Sequence, residues 1–375
     1  MPAVEKILIV GGGIAGMTLA IALRQAGMRC DVVELTREWT VPGVGISLQG
    51  ATLRALGTLG LLDACVSQGF GYSHFIACDA HGNVTGKVDL PRLNGPDRPA
   101  TIGIMRQILH DVLKSAMAKA NVPVRLGVTV KSLQQDDSGV AVTFDDGTAG
   151  RYDLVVGADG AFSVVRDLIF GPDAGPQYTG QAVWRITVAR PPEVTARHSY
   201  FGPRNKSGFN PVSATQMYIY IVQNLPEFRR LSDAELPVVM NEQLADFGGL
   251  LGVARDSVRD VSDIVYRPIH SHIMPPPWFR GRVVLIGDAA HTTTPHLASG
   301  AGIAVEDAIV LAGELGKAEN PAAALSAFTT RRYERCRLIV ENSHTLGEWE
   351  KNPSTPGADP IAMVAASYRA LAQPI

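Results

Sequence analysis

Two short apolar runs, joined by a glycine-rich turn and a helical segment, open the chain. Lys6–Val10 is rich in β-branched residues and predicts a strand. Residues 16–25 predict a helix that ends at Gly27, where glycine allows the chain to leave the helix. Residues 30–35 predict the next strand. The order of these segments therefore predicts a βαβ unit at the start of the chain.

A hydrophobic stripe further along the chain predicts a helix that begins at about Arg106. Its members recur at helical spacing and are Ile108, Leu109, Val112, Leu113, Ala116 and Met117. Residues 124–133, 140–144 and 154–156 then predict strands, the last of them in a buried sheet. This part of the chain continues an α/β pattern.

The pattern becomes β-rich between residues 175 and 280. Apolar runs such as 183–188 and 216–222 are separated there by proline and glycine. A hairpin-like stretch at residues 72–90 is expected to join the same sheet, although it lies much earlier in the chain. The β-rich region is therefore expected to be discontinuous in sequence.

These changes of pattern predict two domains and a short tail. The last part of the first domain has a strand at 283–286 and helices at 306–315 and 322–344. The predicted boundaries are 1–70, 97–174 and 281–347 for the α/β domain, 71–96 and 175–280 for the β-rich domain, and 348–375 for a C-terminal tail.

A dinucleotide-binding fingerprint lies between the first strand and the first helix. Its G-x-G-x-x-G glycines are Gly11, Gly13 and Gly16. One glycine of this pattern makes the turn, one admits the pyrophosphate and one lets helix and strand pack closely. The helix N-terminus near Ala15 favours phosphate charge. Glu34, with Leu35 beside it, ends the second strand, where a carboxylate accepts hydrogen bonds from ribose hydroxyls. The fingerprint does not distinguish NAD from FAD.

The composition of the chain argues against several other classes of ligand. The chain has 34 basic and 36 acidic residues without a basic run, which argues against nucleic acid and anionic lipid as partners. Its four cysteines are far apart, so no metal site is expected, and a reducing cytoplasm suits them. Residues 7–23 carry no charge, but three consecutive glycines would interrupt a membrane-spanning helix. We expect a cytoplasmic protein with a small ligand.

Two later segments decide between the cofactors. They are residues 153–160 (DLVVGADG) and residues 287–291 (GDAAH). With the fingerprint, and in the same order and spacing, they resemble the DG and GD motifs of the single-component, class A FAD-dependent aromatic hydroxylases. That family includes the 4-hydroxybenzoate, salicylate and 6-hydroxynicotinate hydroxylases. The resemblance implies the α/β fold of 4-hydroxybenzoate hydroxylase, of the GR2-like class: a Rossmann-type FAD-binding domain, a β-sheet substrate domain and C-terminal helices.

The resemblance also implies roles for three polar residues. Asp288 would bind the ribityl or ribose part of FAD, Arg106 would contact the cofactor, and Asp159 would couple the handling of FAD and pyridine nucleotide. A buried carboxylate needs hydrogen-bond donors such as polyol hydroxyls, and a guanidinium suits a phosphate. Each residue has a structural alternative: a helix N-cap for Asp288, a surface cation for Arg106 and a turn residue for Asp159.

The flavin ring would lie against two glycine-containing segments. Residues 295–302 (PHLASGAG) correspond to a P-x-x-G-Q-G pattern of the family, with alanine and serine replacing its first glycine and its glutamine. The resemblance places Pro295 there, and backbone amides at Gly300 and Ala301 would stabilise the anionic reduced flavin. Gly45 belongs to a stretch that matches the segment on the other side of the ring.

The activity implied by the resemblance is hydroxylation of a small aromatic or heteroaromatic substrate. NADH or NADPH would reduce FAD, O2 would form a flavin C4a-hydroperoxide, and its distal oxygen would pass to a phenol, hydroxybenzoate or hydroxypyridine-like ring. Because one fingerprint is present, the nicotinamide would bind transiently or be absent. An FAD-dependent oxidase or dehydrogenase, distinguished by product mass, and a non-catalytic binding protein like the GDP-dissociation inhibitors are the alternatives.

Four residues are candidates for contact with the substrate. Tyr218 and Tyr220 share one face of a predicted strand, and His270 and His272 share one face of another. Packing or exposure to solvent explains such pairs equally well, so no general base is assigned. The substrate, the choice between NADH and NADPH and the oligomeric state stay open, and a homodimer is compatible with the sequence.

Overall fold

The computed structural model describes residues 4–41, 43–258 and 264–375. The strands, in chain order, are β1 (Lys6–Val10), β2 (Arg29–Glu34), β3 (Gly45–Leu48), β4 (Phe70–Tyr72), β5 (His74–Asp79), β6 (Val84–Asp89), β7 (Thr101–Met105), β8 (Val124–Leu126), β9 (Val130–Asp136), β10 (Gly139–Phe144), β11 (Ala149–Tyr152), β12 (Leu154–Gly157), β13 (Gln177–Ala189), β14 (Arg197–Phe201), β15 (Asn205–Pro211), β16 (Gln216–Asn224), β17 (Val265–Ile273), β18 (Phe279–Arg280), β19 (Val283–Leu285) and β20 (His291–Thr292).

The α-helices lie between these strands and at the end of the chain. They are α1 (Ile14–Gln25), α2 (Gly50–Thr58), α3 (Leu62–Gln68), α4 (Arg106–Lys119), α5 (Val164–Phe170), α6 (Glu235–Leu244), α7 (Gly249–Arg255), α8 (Gly300–Lys317), α9 (Pro321–Lys351) and α10 (Pro360–Ala372). None of the helices within the described residues is long and apolar enough to span a bilayer.

A six-stranded sheet carries the predicted βαβ unit. Its strand order is β18-β19-β12-β1-β2-β8, and β1 pairs in parallel with both β2 and β12. All residues of β12 and β19, and those of β1 after Lys6, are buried in the main core, to which α1, α8 and the three-stranded sheet β11-β10-β9 also contribute. The βαβ prediction is confirmed, and so is the helix that begins at Arg106. The carboxyl ends of β1, β12 and β19 meet at one edge of this sheet.

An eight-stranded sheet forms the second layer, in the order β20-β17-β13-β16-β15-β14-β5-β6. The early hairpin β5-β6 pairs with β14, so the predicted discontinuous β region is confirmed at this point. Tyr72 lies instead in β4, within a separate sheet of order β3-β7-β4. Because β4 directly precedes β5 in the sequence, the hairpin begins at His74, two residues later than expected.

The two faces of the large sheet have different partners. Trp184, Ile186 and Ile219 are fully buried in a core that includes residues of α6 and α7. The residues that alternate with them, such as Arg185 and Tyr218, point to the other face, because successive strand residues face opposite sides. This second face is therefore available to form one wall of a site.

Three predicted elements differ from the structure. Residues 124–133 form two strands in different sheets, because Gly127 adopts φ +73° and turns the chain between β8 and β9. Helices α6 and α7 interrupt the region predicted as β-rich. The segment expected to be a tail contains α10, whose Tyr368 and Leu371 are buried in the main core. The domain boundaries themselves stay a prediction.

Candidate active site

A cavity of about 650 Å³ lies between the six-stranded sheet and the second face of the large sheet. Its walls come from the turn after β1, the segment after β19, the start of α8 and strands β13 to β17. This volume is typical of ligand pockets in proteins. Gly13 of the fingerprint and the second face of the large sheet therefore line one site.

The three fingerprint positions carry glycine for different structural reasons. Gly11 adopts φ +109°, and a Cβ atom there would lie 2.3 Å from the carbonyl oxygen of Ala158. A Cβ atom on Gly16 would lie 1.9 Å from the carbonyl oxygen of Gly11. Gly13, in contrast, is on the cavity wall, and a Cβ atom there would meet nothing within 4 Å. Gly11 and Gly16 thus allow close backbone packing, whereas Gly13 leaves free space beside the cavity.

The N-terminus of α1 faces this free space. Gly13 is the N-cap and provides no side-chain cap, and Ile14 and Ala15 also line the cavity. The first N–H groups of a helix have no intrahelical acceptor and bind phosphate readily. The Glu34 carboxylate accepts hydrogen bonds from the backbone N–H of Gly12 at 2.7 Å and from Thr36. These contacts hold an acidic group next to the phosphate-binding turn.

Asp288 and Arg106 face the cavity from two different elements. Asp288 follows β19, and its carboxylate forms no hydrogen bond with any residue that the structure describes. The surrounding protein raises the pKa of Asp288, while His291 and Arg106 lower it. Arg106 begins α4, and its Nε is buried without a hydrogen-bond partner. Burial lowers the pKa of Arg106, and Asp288 raises it. Both polar groups are available to a ligand.

A buried ion network supports the segment that carries Asp288. The Asp307 carboxylate lies 2.5 Å from His291 Nε2, accepts a hydrogen bond from Arg332 Nε at 2.7 Å, and accepts one from the backbone N–H of Gly287. His291, Asp307 and Cys336 are close enough to share a cation, but the guanidinium of Arg332 already neutralises Asp307. The network therefore ties α8 and α9 to the turn after β19.

The start of α8 forms another wall. Pro295, Gly300 and Ala301 line the cavity, and Gly300 is the first residue of this 18-residue helix. Its first N–H groups face the cavity and favour negative charge there. A Cβ atom on Gly302 would lie 2.3 Å from Thr52 Oγ1, so glycine allows α8 to pack on α2.

Tyr218 and Tyr220 lie side by side on the wall formed by the large sheet. The Tyr218 hydroxyl accepts a hydrogen bond from Asn210 Nδ2 at 3.3 Å, and the Tyr220 hydroxyl lies 2.8 Å from Ser199 Oγ. The Tyr218 ring covers Gly45, where a Cβ atom would lie 2.2 Å from the ring. Both tyrosines therefore point into the cavity, as a shared strand face requires.

Several residues singled out from the sequence lie away from the cavity wall. Asp159 accepts hydrogen bonds from Ser163 Oγ at 2.5 Å and from the backbone N–H of Val165, so it stabilises the start of α5. The Leu35 side chain is exposed. His270 lines the cavity, whereas His272, which pairs with Thr292 of β20, does not. That both histidines share one face of β17 stays a prediction. Gly11, Gly16 and Glu34 do not line the cavity and instead stabilise the turn between β1 and α1.

The structure adds charged wall residues that the sequence analysis did not assign. They are Arg185, Arg197, Lys206 and Arg267. Arg185 lies within the predicted strand 183–188. A single charged residue in this otherwise apolar strand is the sequence feature that could have identified Arg185 as a wall residue. Arg197 and Lys206 depend on the pairing of β14 and β15, which local sequence patterns do not reveal.

Replacing Asp288 with alanine is expected to weaken FAD binding by about tenfold to a hundredfold, because a cavity-facing hydrogen-bond acceptor is lost. The variant should unfold at the same temperature as the wild-type apoprotein, because no described residue bonds to that carboxylate. Glu34→Ala should weaken FAD binding and also lower the unfolding temperature, since Glu34 bonds to Gly12 and Thr36. Fluorescence titration of the apoproteins with FAD measures the first effect. Wild-type affinity in both variants would contradict the assignment.

Comparison with known proteins agrees with this site. Residues 5–343 match the family described as FAD binding domain. A putative FAD-dependent monooxygenase of Bacillus subtilis is 30% identical over 95% of this chain and 96% of its own length. The 2-heptyl-3-hydroxy-4(1H)-quinolone synthase of Pseudomonas aeruginosa is 31% identical over 92% of this chain and 90% of its own length.

Solved structures agree as well. The Klebsiella pneumoniae protein HpxO, in a complex with FAD and uric acid, superposes with a TM-score of 0.83 at 25% identity, covering 98% of this chain and 92% of that one. The 2-methyl-3-hydroxypyridine-5-carboxylic acid oxygenase superposes with a TM-score of 0.81 at 26% identity, covering 97% and 96%. These matches show that the chain belongs to the FAD-dependent monooxygenases of the class A flavoprotein hydroxylase family.

Proposed function

We propose that this enzyme hydroxylates a small aromatic or heteroaromatic compound with NADH or NADPH and O2. The observation that carries the proposal is that one cavity brings the cofactor cradle, formed by Gly13, Ala15, Arg106, Asp288, Gly300 and Ala301, opposite Tyr218 and Tyr220. Aromatic side chains on a pocket wall suit a planar ring. The relatives named for a quinolone and for a hydroxypyridine carboxylic acid support a heteroaromatic substrate.

FAD fits the residues that form the cradle. The free space at Gly13 and the N-terminus of α1 suit the pyrophosphate, and the unpartnered groups of Arg106 and Asp288 suit the rest of the cofactor. Gly300 and Ala301 present helix N–H groups to the ring. When bound, FAD supplies the acceptance of a hydride and the activation of O2.

The chain's own residues position the substrate and exclude water. Val183, Val222, Ile46 and Ile269 give the cavity apolar walls. An apolar, enclosed site slows the wasteful loss of the oxidant to water. The hydrogen bonds of Tyr218 and Tyr220 to Asn210 and Ser199 hold both rings in place, so that a substrate ring meets a preorganised surface. One G-x-G-x-x-G pattern is present in the chain, so the nicotinamide is expected to bind and leave during each turnover.

A substrate screen tests this function. Phenols, hydroxybenzoates, hydroxypyridines and quinolones are added to the FAD-loaded enzyme, and the oxidation of NADH and NADPH is recorded. We expect one class of compounds to accelerate this oxidation and to yield a product one oxygen atom heavier. A dehydrogenated product without added oxygen would instead show an oxidase or dehydrogenase. A purified protein that cannot be loaded with FAD would contradict any flavoenzyme function.

A further inference from the structure

Ala298, on the wall of the cavity, has an unusual backbone conformation. It follows the short 3-10 turn Pro295–Leu297 and adopts φ +49° and ψ 34°, in the left-handed region. There the Cβ atom of an L-residue comes too close to a carbonyl oxygen, so residues other than glycine rarely adopt this conformation. Asn121 is the other non-glycine residue with a positive φ in the described part of the chain, and asparagine tolerates this region better than alanine does. Ala298 is therefore the more strained of the two.

Hydrogen bonds on both sides of Ala298 keep the turn in this conformation. The Ala298 N–H donates to the carbonyl oxygen of Pro295 at 3.0 Å. The carbonyl oxygen of Leu297 accepts hydrogen bonds from Ser299 Oγ at 2.9 Å and from the Tyr368 hydroxyl at 3.2 Å. The side chains of Leu297, Ser299 and Tyr368 are buried. A strained residue persists only where its surroundings hold it in place, and strain of this kind is concentrated at functional sites.

The methyl group of Ala298 does not contribute to a hydrophobic core. Ala298 is partly exposed to the cavity and belongs to none of the hydrophobic clusters formed by the described residues. Its neighbour Leu297, in contrast, is fully buried in the main core. Packing within these clusters therefore does not offset the strain at Ala298.

Glycine would form the same turn without this strain, because it has no Cβ atom. The family pattern P-x-x-G-Q-G has glycine at this position, whereas this chain has Ala298. The difference adds one methyl group to the wall of the cavity next to α8. The strain, together with the position outside the described clusters, indicates that this methyl group acts on a ligand of the cavity.

Under the proposed function, the flavin ring of FAD lies against this wall. Gly300 begins α8 two residues after Ala298, and the first N–H groups of α8 are beside the ring. The positive end of a helix dipole favours negative charge, and the effect decreases within the first turn. Carbon atoms in contact are separated by about 3.5–4.0 Å, so a methyl group on the wall sets a minimum distance between the ring and this helix end.

We infer that Ala298 is a positioning residue for the cofactor: its methyl group contacts the flavin ring and keeps the ring away from the N-terminus of α8. The inference rests on the proposed function, because that function places the ring in this cavity. The spacing weakens the attraction between the helix end and the negative charge of the reduced flavin. The reduction potential of the bound flavin is therefore lower than it would be with glycine at this position, so that the reduced flavin is a stronger electron donor to O2.

Ala298→Gly removes the methyl group and the strain and leaves every other side chain unchanged. The midpoint potential of bound FAD is measured by spectroscopic titration against a reference dye, without substrate or O2. We expect the preference for reduced over oxidised FAD to be about threefold to tenfold greater in the variant than in the wild-type protein, which raises the two-electron potential by about 15–30 mV. The urea midpoint of the apoprotein should not fall, because release of the strain offsets the greater freedom of glycine in the unfolded chain.

Asn121→Gly is the matched control. Asn121 has φ +52°, lies on the surface after α4 and does not line the cavity. This change also removes a side chain from a left-handed residue, but it should leave the potential of bound FAD unchanged. Ala298→Asn tests the opposite direction, since asparagine suits the same backbone conformation and carries a larger side chain. It should weaken FAD binding about tenfold or more, because the added atoms occupy space that the ring needs.

Three results would overturn the inference. The first is a potential in Ala298→Gly that equals or is lower than that of the wild-type protein. The second is an unchanged FAD affinity in Ala298→Asn, because the wall would then have room for a larger side chain beside the ring. The third is an equal increase of the potential in Asn121→Gly, because the effect would then not depend on the cavity. A raised potential in Ala298→Gly, from an enzyme that transfers no oxygen to any compound of the screen, would support the inference and contradict the proposed function alone.

Discussion

Replacing Gly16 with valine is expected to abolish measurable FAD binding and to destabilise the protein. Even a single Cβ atom at this position would lie 1.9 Å from the carbonyl oxygen of Gly11, far inside contact distance. Helix α1 would have to move away from β1, and overpacking of this kind costs about 1–3 kcal/mol or more. Because the helix N-terminus and the turn form the phosphate site together, FAD affinity should fall at least about a hundredfold.

Gly13→Val is the matched comparison for this prediction. A Cβ atom at Gly13 meets nothing within 4 Å, so the apoprotein should lose only the roughly 1 kcal/mol that valine costs as a poorer N-cap residue of α1. The valine side chain would occupy space beside the cavity that the pyrophosphate needs, so FAD affinity should still fall strongly. Equilibrium dialysis and urea unfolding of the apoproteins separate the two effects. A Gly13→Val protein that retains FAD like the wild type would place the phosphates elsewhere.

Asp307→Ala is expected to lower the free energy of unfolding by about 3–5 kcal/mol, because it leaves a protonated His291 buried without its counterion and leaves Arg332 with Glu306 as its remaining carboxylate partner. All four side chains are buried. The control is Glu341→Gln on the same helix as Arg332, which breaks an exposed pair with Arg337 and should change stability by less than about 1 kcal/mol. Urea unfolding measures both. Equal effects in the two variants would show that the buried network contributes little.

Asp307 and His291 contribute to the free energy of unfolding with opposite dependences on pH. His291 and Arg332 lower the pKa of Asp307 to about 2 despite its burial, so its contribution is present above the ordinary value of about 3.9 and is lost as pH falls through about 2. Burial lowers the pKa of His291, but Cys336 and Asp307 raise it well above its ordinary value. The histidine contribution is therefore present below about pH 6.5 and is lost as pH rises through the raised pKa. The stability difference between wild type and Asp307→Ala should be largest between about pH 4 and 6.5.

The cofactor cradle could be predicted from the sequence because its chemistry is local. Gly11 and Gly16 are needed within one turn, and Arg106 begins a helix whose hydrophobic stripe is visible in the sequence. The same local chemistry explains an error, since Gly127 ends β8 within a run that otherwise predicts one continuous strand. At both places a glycine marks where the chain turns: after β1 this predicted the structure correctly, whereas at Gly127 the turn was overlooked.

The substrate wall could not be assembled from local patterns. Arg185, Arg197 and Lys206 come together only through the pairing of β13 with β16, of β16 with β15 and of β15 with β14. That register is fixed by long-range packing of the opposite face on α6 and α7, two helices that the sequence pattern did not reveal. The contact of Lys206 with Glu350 joins residues 144 positions apart. Local periodicity predicts which residues share a strand face but not which strands become neighbours.

Isotope labelling of the oxygen atom tests the central claim most directly. The FAD-loaded enzyme, NADH or NADPH and the best compound of the screen are incubated under ¹⁸O2 in ordinary water, and the product is analysed by mass spectrometry. The account predicts that the product carries one ¹⁸O atom, with the second oxygen atom of O2 released as water. A product whose added oxygen comes from water, or one that has lost hydrogen without gaining oxygen while hydrogen peroxide accumulates, would contradict a monooxygenase.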